Sequence, residues 1–300
     1  MLNRLYLRGR CKLLVGEHGP ARIFVDQSLK NHSFSTSKSG EVVNLKLLEE
    51  DKTIEAESVV DFFKPQILQV LRASGYDKLS DEERTELHGL TRPIRDSIKQ
   101  LVGLLKQELH RYDIEDGLIH NLNIEWSAGD NQWYTIPREL RVEHQISYLG
   151  NLDVCTANKI QQLLSENEEA LVATSYLHQA RKSLKRRYKW TYATIAAGLA
   201  IKEVIVRVEP KFQVILGELP SPPLNKLYGD VLYSVAGVRS TGLTRLQNGA
   251  RKRNQLLHSP KSSPPTLSEV NEYIDFVEDR VEWLLSEWRR IMRAKRQNGV

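Results

Sequence analysis

The stretch "WTYATIAAGLAIKEVIVRV", residues Trp190–Val208, is apolar on almost every face of a helix. A helix at the surface of a protein keeps one polar face, so a helix without one is expected to lie among other helices. This stretch therefore predicts a buried central helix. The segments on either side of it are expected to pack around it.

Four further segments of the C-terminal half have the periodicity of amphipathic helices. They are residues 170–184, 222–237, 243–258 and the segment that follows Thr266. We expect the third to be broken near Gly249, and the last to begin at the capping box Thr266-x-x-Glu269. Five helices with short connections predict an all-α up-and-down bundle, placed at residues 160–298.

The N-terminal half has mixed patterns instead. The segments "ARIFVD" and "EVVNLKLL" are typical of strands, and the serine-rich "NHSFSTSKSG" between them predicts a loop. Helical patterns include "FFKPQILQVLRASG", a capping box at Ser80-x-x-Glu83, and an apolar face from Leu87 to Leu109 with a kink or restart at Pro93. A hairpin is expected in "LNIEWSAGDNQWYTIP". Residues 1–155 thus predict an α+β domain of unknown type that precedes the bundle.

Basic residues are concentrated in the C-terminal half. The chain has a formal net charge of +5, and residues 165–300 carry 22 Lys and Arg against 14 Asp and Glu. This asymmetry indicates a polyanionic partner, such as a nucleic acid. The residues predicted to bind it belong to one cluster: Arg181, Lys182, Lys185, Arg186 and Arg187. A solvated helix face would account for the same cluster.

The cysteine content and the hydropathy of the chain indicate in which cellular compartment we expect the protein. Two cysteines among 300 residues provide neither a disulfide framework nor a cysteine zinc site, which favours a reducing, cytoplasmic location. The longest apolar run is too short to span a bilayer, so no membrane is expected. Phosphate loops, dinucleotide fingerprints and paired metal-binding histidines are not found, and we expect no metal and no cofactor.

The stretch "GARKRNQLLHSP", residues Gly249–Pro260, contains the candidate catalytic residues. An arginine five to seven positions before a histidine is common at this composition and occurs three times in the chain. One of these pairs, Arg138 with His144, lies outside the bundle. The informative feature is Asn254, which directly follows Arg253 and precedes His258 by one helical turn.

This stretch and its surroundings resemble HEPN domains, which are helical-bundle ribonuclease and nucleic-acid-processing modules marked by Arg-x(4–6)-His. The similarity includes "RNQLLH", the following "PTLSEVNEYIDFVEDRVEWLL", and "AAGLAIKEVI" with its acidic Glu203. It covers about residues 165–295, under half of the chain. Both Arg253 and Arg251 fit the spacing, and we place Arg253 first.

The resemblance implies a metal-independent endoribonuclease, often a toxin or phage-defence effector that an antitoxin or trigger controls. Histidine suits the removal of a proton from the 2′-hydroxyl of RNA, and arginine suits the charge that develops on the phosphate. His258, Arg253 and Asn254 would thus be catalytic, with Arg251 and Glu203 in support. The family's sites form across a two-fold axis, which implies a homodimer.

Ordinary structural roles also account for these residues. His258 would then cap the carbonyl end of a helix while Arg253 is solvated. Glu203 would pair with a neighbouring cation or point to solvent. The alternative function is a non-catalytic HEPN-like module that binds RNA or another protein.

Overall fold

The computed structural model describes residues 3–12, 23–25, 32–48, 53–62, 64–74, 78–110, 120–127, 133–136, 150–218, 223–259 and 263–297. The chain forms two compact units, Met1–Ala170 and Leu171–Val300. The first combines an antiparallel sheet with helices, and the second is helical in its described part. The predicted order, α+β and then helical, is confirmed.

A six-stranded sheet with antiparallel neighbours organises the first unit. Its strand order is β3-β4-β5-β1-β6-β7, and a separate parallel pair is formed by β2 and β8. The strands are β1 (Asn3–Lys12), β2 (Ile23–Val25), β3 (Ser33–Lys38), β4 (Glu41–Leu48), β5 (Thr53–Phe62), β6 (His120–Ser127), β7 (Tyr134–Ile136) and β8 (Gly150–Leu152). The hairpin expected around Trp126 is the antiparallel pair of β6 and β7, and its turn lies outside the described residues.

Strand β3 corrects one prediction. The serine-rich segment expected to be a loop forms a strand, because Phe34 and Thr36 alternate inward while the serines face outward. Strand β4 coincides with the predicted "EVVNLKLL". Serine has a low strand propensity, and here the burial of two side chains outweighs it.

Three helices follow β5 in this unit: α1 (Pro65–Ser74), α2 (Asp81–Leu90) and α3 (Arg92–Glu108). The capping box of Ser80 and Glu83 opens α2, and a new helix starts with Pro93 in its first turn, both as predicted. Helix α3 lies close to β1. A Cβ atom at Gly9 would lie 2.6 Å from Ile94 Cγ2, so this strand position has no room for a side chain.

Helix α4 (Val154–Ser165) shifts the expected domain boundary. It packs on β3 and α3, where Gln161 bonds both the N–H and the carbonyl of Ser35, at 2.9 and 3.2 Å. Lys159 also pairs with the buried Glu108 of α3. The division therefore falls between residues 170 and 171, rather than between 155 and 160.

Helix α6 (Arg186–Val208) is the centre of the second unit. It packs against α5 (Ala173–Lys182), α10 (Leu243–His258) and α11 (Leu267–Gln297). Its buried positions include Ala193, Ala196, Ala197 and Ala200, whose small side chains allow close approach of the neighbouring helices. The prediction of a central buried helix is confirmed.

The remaining helices of this unit are short. They are α7 (Phe212–Glu218), α8 (Leu224–Lys226) and α9 (Leu232–Ala236), with a π-helical turn, Leu227–Val231, between the last two. Tyr228 anchors this turn, because its hydroxyl donates a hydrogen bond to the carbonyl of Ala197 at 2.9 Å. No helix of the described ranges is long and apolar enough to cross a bilayer.

Helix α10 runs unbroken through Gly249, so the predicted break is wrong. The glycine serves packing, since a Cβ atom there would lie 2.0 Å from the hydroxyl oxygen of Tyr273 in α11. The capping box of Thr266 and Glu269 is confirmed at the start of α11. The side chain of Tyr273 thus reaches from α11 to the middle turn of α10.

Candidate functional site

One face of α10 carries two of the predicted catalytic residues, Asn254 and His258, and the supporting Arg251. Gln247, Arg251, Asn254 and His258 follow one another at intervals of four, three and four residues, which places them on a single helical face. The helix includes His258 as its last residue. His258 is therefore in helical register, and lies about 6 Å along the axis from Asn254.

A cavity of about 470 Å³ lies beside this face. Its walls come from α10, from α6, and from the segment at residues 223–227 that leads into the π-helical turn. Helix α10 contributes Arg251, Arg253 and Asn254, and α6 contributes Lys202. Three of the predicted residues thus share one site, together with a fourth polar residue from another helix.

Arg253 reaches the cavity from the side of the helix. It precedes His258 by five positions, so the two side chains leave the helix about 140° apart. Arg253 nevertheless lines the cavity. The guanidinium Nε donates a hydrogen bond to Asn254 Oδ1 at 3.0 Å, and both residues line the cavity.

The cavity is electropositive. Lys202, Arg251 and Arg253 line it, and no carboxylate occurs among its described lining residues. Neither arginine forms an ion pair with a described residue. Such a concentration of cations suits a phosphate group, which a guanidinium can hold with two parallel hydrogen bonds.

His258 lies beyond the cavity. The residue is exposed at the end of α10 and is not among the described residues that line the cavity. Exposed Leu257 lies beside it, and exposed Leu267 begins α11. His258 therefore faces solvent at the edge of the electropositive site.

Aromatic packing fixes the position of α10 behind the cavity. The indole N–H of Trp190 donates to the Gly249 carbonyl at 3.0 Å, and its ring stacks on Tyr273 at 4.1 Å. The Tyr273 hydroxyl lies 3.2 Å from Thr194 Oγ1. Burial raises the pKa of Tyr273 to about 12, so the phenol stays neutral at physiological pH.

Glu203 has a structural environment. Its carboxylate accepts a hydrogen bond from the Val172 N–H at 3.0 Å, before the first turn of α5, and pairs with Arg207 at 2.8 Å. It is not among the described lining residues of the cavity, although the adjacent Lys202 is. The structure does not bring Glu203 together with the residues of α10.

Arg181 is also engaged within the protein. Its guanidinium binds Glu278 with two hydrogen bonds, at 2.9 and 2.5 Å, and Asp275 with one at 2.5 Å. Burial works to lower the pKa of Arg181, but these two carboxylates outweigh it and raise the pKa further above its ordinary value. Arg181 joins α5 to α11.

The other predicted RNA-binding residues lie at the connection between α5 and α6. Lys182, Lys185 and Arg186 are exposed, and Arg187 is half-buried. Between them Leu184 is 97% exposed. This connection forms a basic surface that is separate in sequence from the cavity residues of α10.

Lys202, Asn225 and Gln247 also line the cavity, and sequence reasoning did not identify them. The sequence does contain an indication of Lys202, because this residue is a single cation directly after the apolar run Ala193–Ile201. Gln247 could also be found from the sequence, because it lies one turn before Arg251 on the same face of α10. Asn225 gave no signal, because only the packing of residues 223–227 brings it to the site.

The described ranges contain no cluster of His, Cys, Asp and Glu able to hold a metal ion. Comparisons with protein-family models, with curated proteins and with solved structures find no significant match for this chain.

Proposed function

We propose that the protein is a metal-independent endoribonuclease in which Arg253, Asn254 and His258 act on RNA. One observation carries the proposal. Helix α10 directs Arg251, Arg253 and Asn254 into one electropositive cavity with Lys202, and His258 follows one turn later on the same face. The resemblance of the sequence to HEPN domains points to the same reaction.

In the proposed reaction the cavity holds the scissile phosphate. Arg253, with Arg251 and Lys202, neutralises the negative charge that develops on its oxygens. His258 removes the proton of the adjacent 2′-hydroxyl, and the 2′-oxygen attacks phosphorus. The bond to the 5′-oxygen breaks, this oxygen takes up a proton, and the products are a 2′,3′-cyclic phosphate and a 5′-hydroxyl. Asn254 orients Arg253 through its hydrogen bond.

The site is proposed to be shared by two copies of the chain. His258 is exposed, and the neighbouring Leu257 is exposed as well, which leaves apolar surface at this end of α10. A second copy that docks there would bring its own His258 to the edge of the cavity. Each cleft would then combine the cations of one protomer with the His258 of the other.

Cleavage of total RNA in EDTA tests the proposal. The wild type is expected to produce fragments with cyclic phosphate ends, and His258→Ala and Arg253→Ala are expected to lose at least ~100-fold of this activity. Arg290→Ala, an exposed arginine of α11, serves as the matched control and should retain activity. RNA that stays intact with the wild type, or equal cleavage by His258→Ala, would contradict the proposal.

Mixing the two inactive variants tests the shared site. Heterodimers of His258→Ala and Arg253→Ala contain one cleft with both residues intact if each cleft takes them from different protomers. Mixed samples are then expected to recover about a quarter of wild-type activity. No recovery, despite exchange of protomers shown by mass spectrometry, would place both residues of each site in a single chain.

A second candidate is RNA binding without cleavage. The observation that favours it is the position of His258, which is exposed and outside the described lining of the cavity. This candidate predicts that Arg253→Ala weakens RNA binding and that His258→Ala does not. Gel-shift titration in EDTA, with the RNA examined afterwards for breaks, separates it from the endoribonuclease.

A further inference from the structure

The cavity contains a part that a phosphate group does not require. Besides the three cations, it is lined by Ile195 and Leu199 of α6 and by Leu224 and Leu227 from the start of α8 and the π-helical turn. A phosphate gains nothing from aliphatic surface, because it would lose hydration there without new hydrogen bonds. The ligand that fits this lining has a charged part and a largely apolar part.

The size of the cavity and the amide groups that line it indicate what the apolar part of the ligand is. The volume of about 470 Å³ is typical of a site for one small molecule. Asn225, Gln247 and Asn254 line it with amides, which offer both donors and acceptors, as the edges of nucleobases do. A base can enter such a cavity only when it is unpaired and unstacked.

We propose that this cavity is a binding site for a single ribonucleotide. The base lies against Leu199, Leu224 and Leu227, and the phosphate lies on Lys202, Arg251 and Arg253. This inference rests on the proposed function only in taking the ligand to be a ribonucleotide. It adds that the RNA substrate is single-stranded at the bound nucleotide, and that a free nucleoside monophosphate binds without any RNA.

Titration of the full-length protein with small probes tests the site. Adenosine and uridine monophosphate are compared with ribose 5-phosphate and with inorganic phosphate by calorimetry. At least one nucleotide is expected to bind about 10-fold or more tightly than ribose 5-phosphate, because only the nucleotides carry a base. Equal affinity for all four probes, or no binding of either nucleotide, would overturn the inference.

Gly198 offers a variant that fills the cavity without removing a cation. This residue of α6 lines the cavity, and a Cβ atom there would lie 3.6 Å from Leu224 Cδ2, an ordinary contact. Gly198→Leu is expected to lower nucleotide affinity about 10-fold and to leave the affinity for inorganic phosphate within about twofold. The control is Gly217→Ala in α7, outside the described lining of the cavity and with nothing within 4 Å of a Cβ atom, and it should bind as the wild type does.

Unchanged nucleotide binding by Gly198→Leu would overturn the inference. If thermal unfolding shows that this variant is not folded, Leu199→Gln takes its place, with the same expected loss. Lys202→Gln is the complementary variant, and it should weaken both nucleotide and inorganic phosphate.

The inference and the proposed function fail in different ways. Nucleotide binding without any RNA cleavage supports the site and contradicts the endoribonuclease. Cleavage of a perfect RNA duplex as fast as of a single strand of the same sequence supports the endoribonuclease and contradicts the site.

Discussion

Gly249 shows how one missing side chain positions the candidate site. A Cβ atom there would overlap the hydroxyl of Tyr273, at 2.0 Å, and its ring, at 2.3 and 2.5 Å. The Tyr273 side chain cannot easily move away, because Trp190 stacks on its ring and Thr194 lies within hydrogen-bonding distance of its hydroxyl. The glycine therefore sets how closely α10 approaches α11.

Gly249→Ala is accordingly expected to destabilise the protein by about 1–3 kcal/mol, the usual cost of overpacking a core. Denaturant unfolding measures this loss. The matched control is Gly217→Ala in α7, where a Cβ atom would have no neighbour within 4 Å and the gain in helix propensity should leave stability equal or higher. Equal stability of the two variants would show that Tyr273 moves aside at no cost.

Arg181 and Arg186 belong to one basic cluster but are expected to respond differently. Arg181→Ala leaves the partly buried Glu278 without its partner. It should lower the free energy of unfolding by about 2 kcal/mol, a loss between those typical of surface ion pairs and of buried ion pairs. Arg186→Ala should leave stability unchanged and weaken RNA binding, since Arg186 is exposed. Thermal unfolding and gel-shift titration of both variants check this; weaker RNA binding by Arg181→Ala at full stability would contradict it.

At the scale of elements, the start of α11 links stability to pH. The N–H and hydroxyl of Thr266 both donate to Glu269, at 2.6 and 2.8 Å, and hold the pKa of Glu269 below its ordinary value. A carboxyl with a lowered pKa stabilises the fold above its unfolded-state pKa. This contribution is lost as the pH falls through the folded-state pKa.

Thr266→Ala is expected to raise the pKa of Glu269 toward its ordinary value and to lower the melting temperature at neutral pH. The difference from the wild type should shrink as the pH falls through the folded-state pKa of Glu269, below which the carboxyl is protonated in both chains. NMR titration and thermal unfolding measure the two effects. Thr266→Ser keeps the hydroxyl and should behave as the wild type; a gap that widens in acid would contradict the capping role.

The elements differ in how far the sequence predicts them. Helices α6 and α11 are recognised because periodicity and capping are local properties of the chain. Strand β3 is missed because its serines are typical of loops, and only its pairing with β4 buries Phe34 and Thr36. The sequence predicts a break at Gly249 because the residue that requires a glycine there, Tyr273, lies 24 residues further along the chain.

At the scale of the whole molecule, the second unit is expected to fold by itself. Helices α5, α10 and α11 enclose α6, and the core residues of α6 are buried within residues 171–300. A fragment of residues 171–300 should be helical by circular dichroism and unfold in one cooperative transition. A fragment that lacks such a transition would show that the first unit is required for folding.

Only part of the candidate site could be predicted. Arg251, Arg253, Asn254 and His258 lie in one short stretch of one helix, where spacing is informative. Lys202 and Asn225 come from other segments of the chain. They reach the cavity only through the packing of these segments on α10, which no local pattern in the sequence indicates. For Arg181 the sequence shows a cation but not the two carboxylates, about 95 residues later, that it binds.

The contact between Gly249 and Tyr273 has a consequence for evolution. In any related protein that keeps this helix crossing, a larger residue at the first position requires a smaller one at the second, so the two positions should vary together. The spacing of arginine and histidine arises readily by chance, whereas such paired change does not. Distant relatives can therefore be recognised by a glycine two positions before the first arginine, matched to an aromatic residue in the last helix.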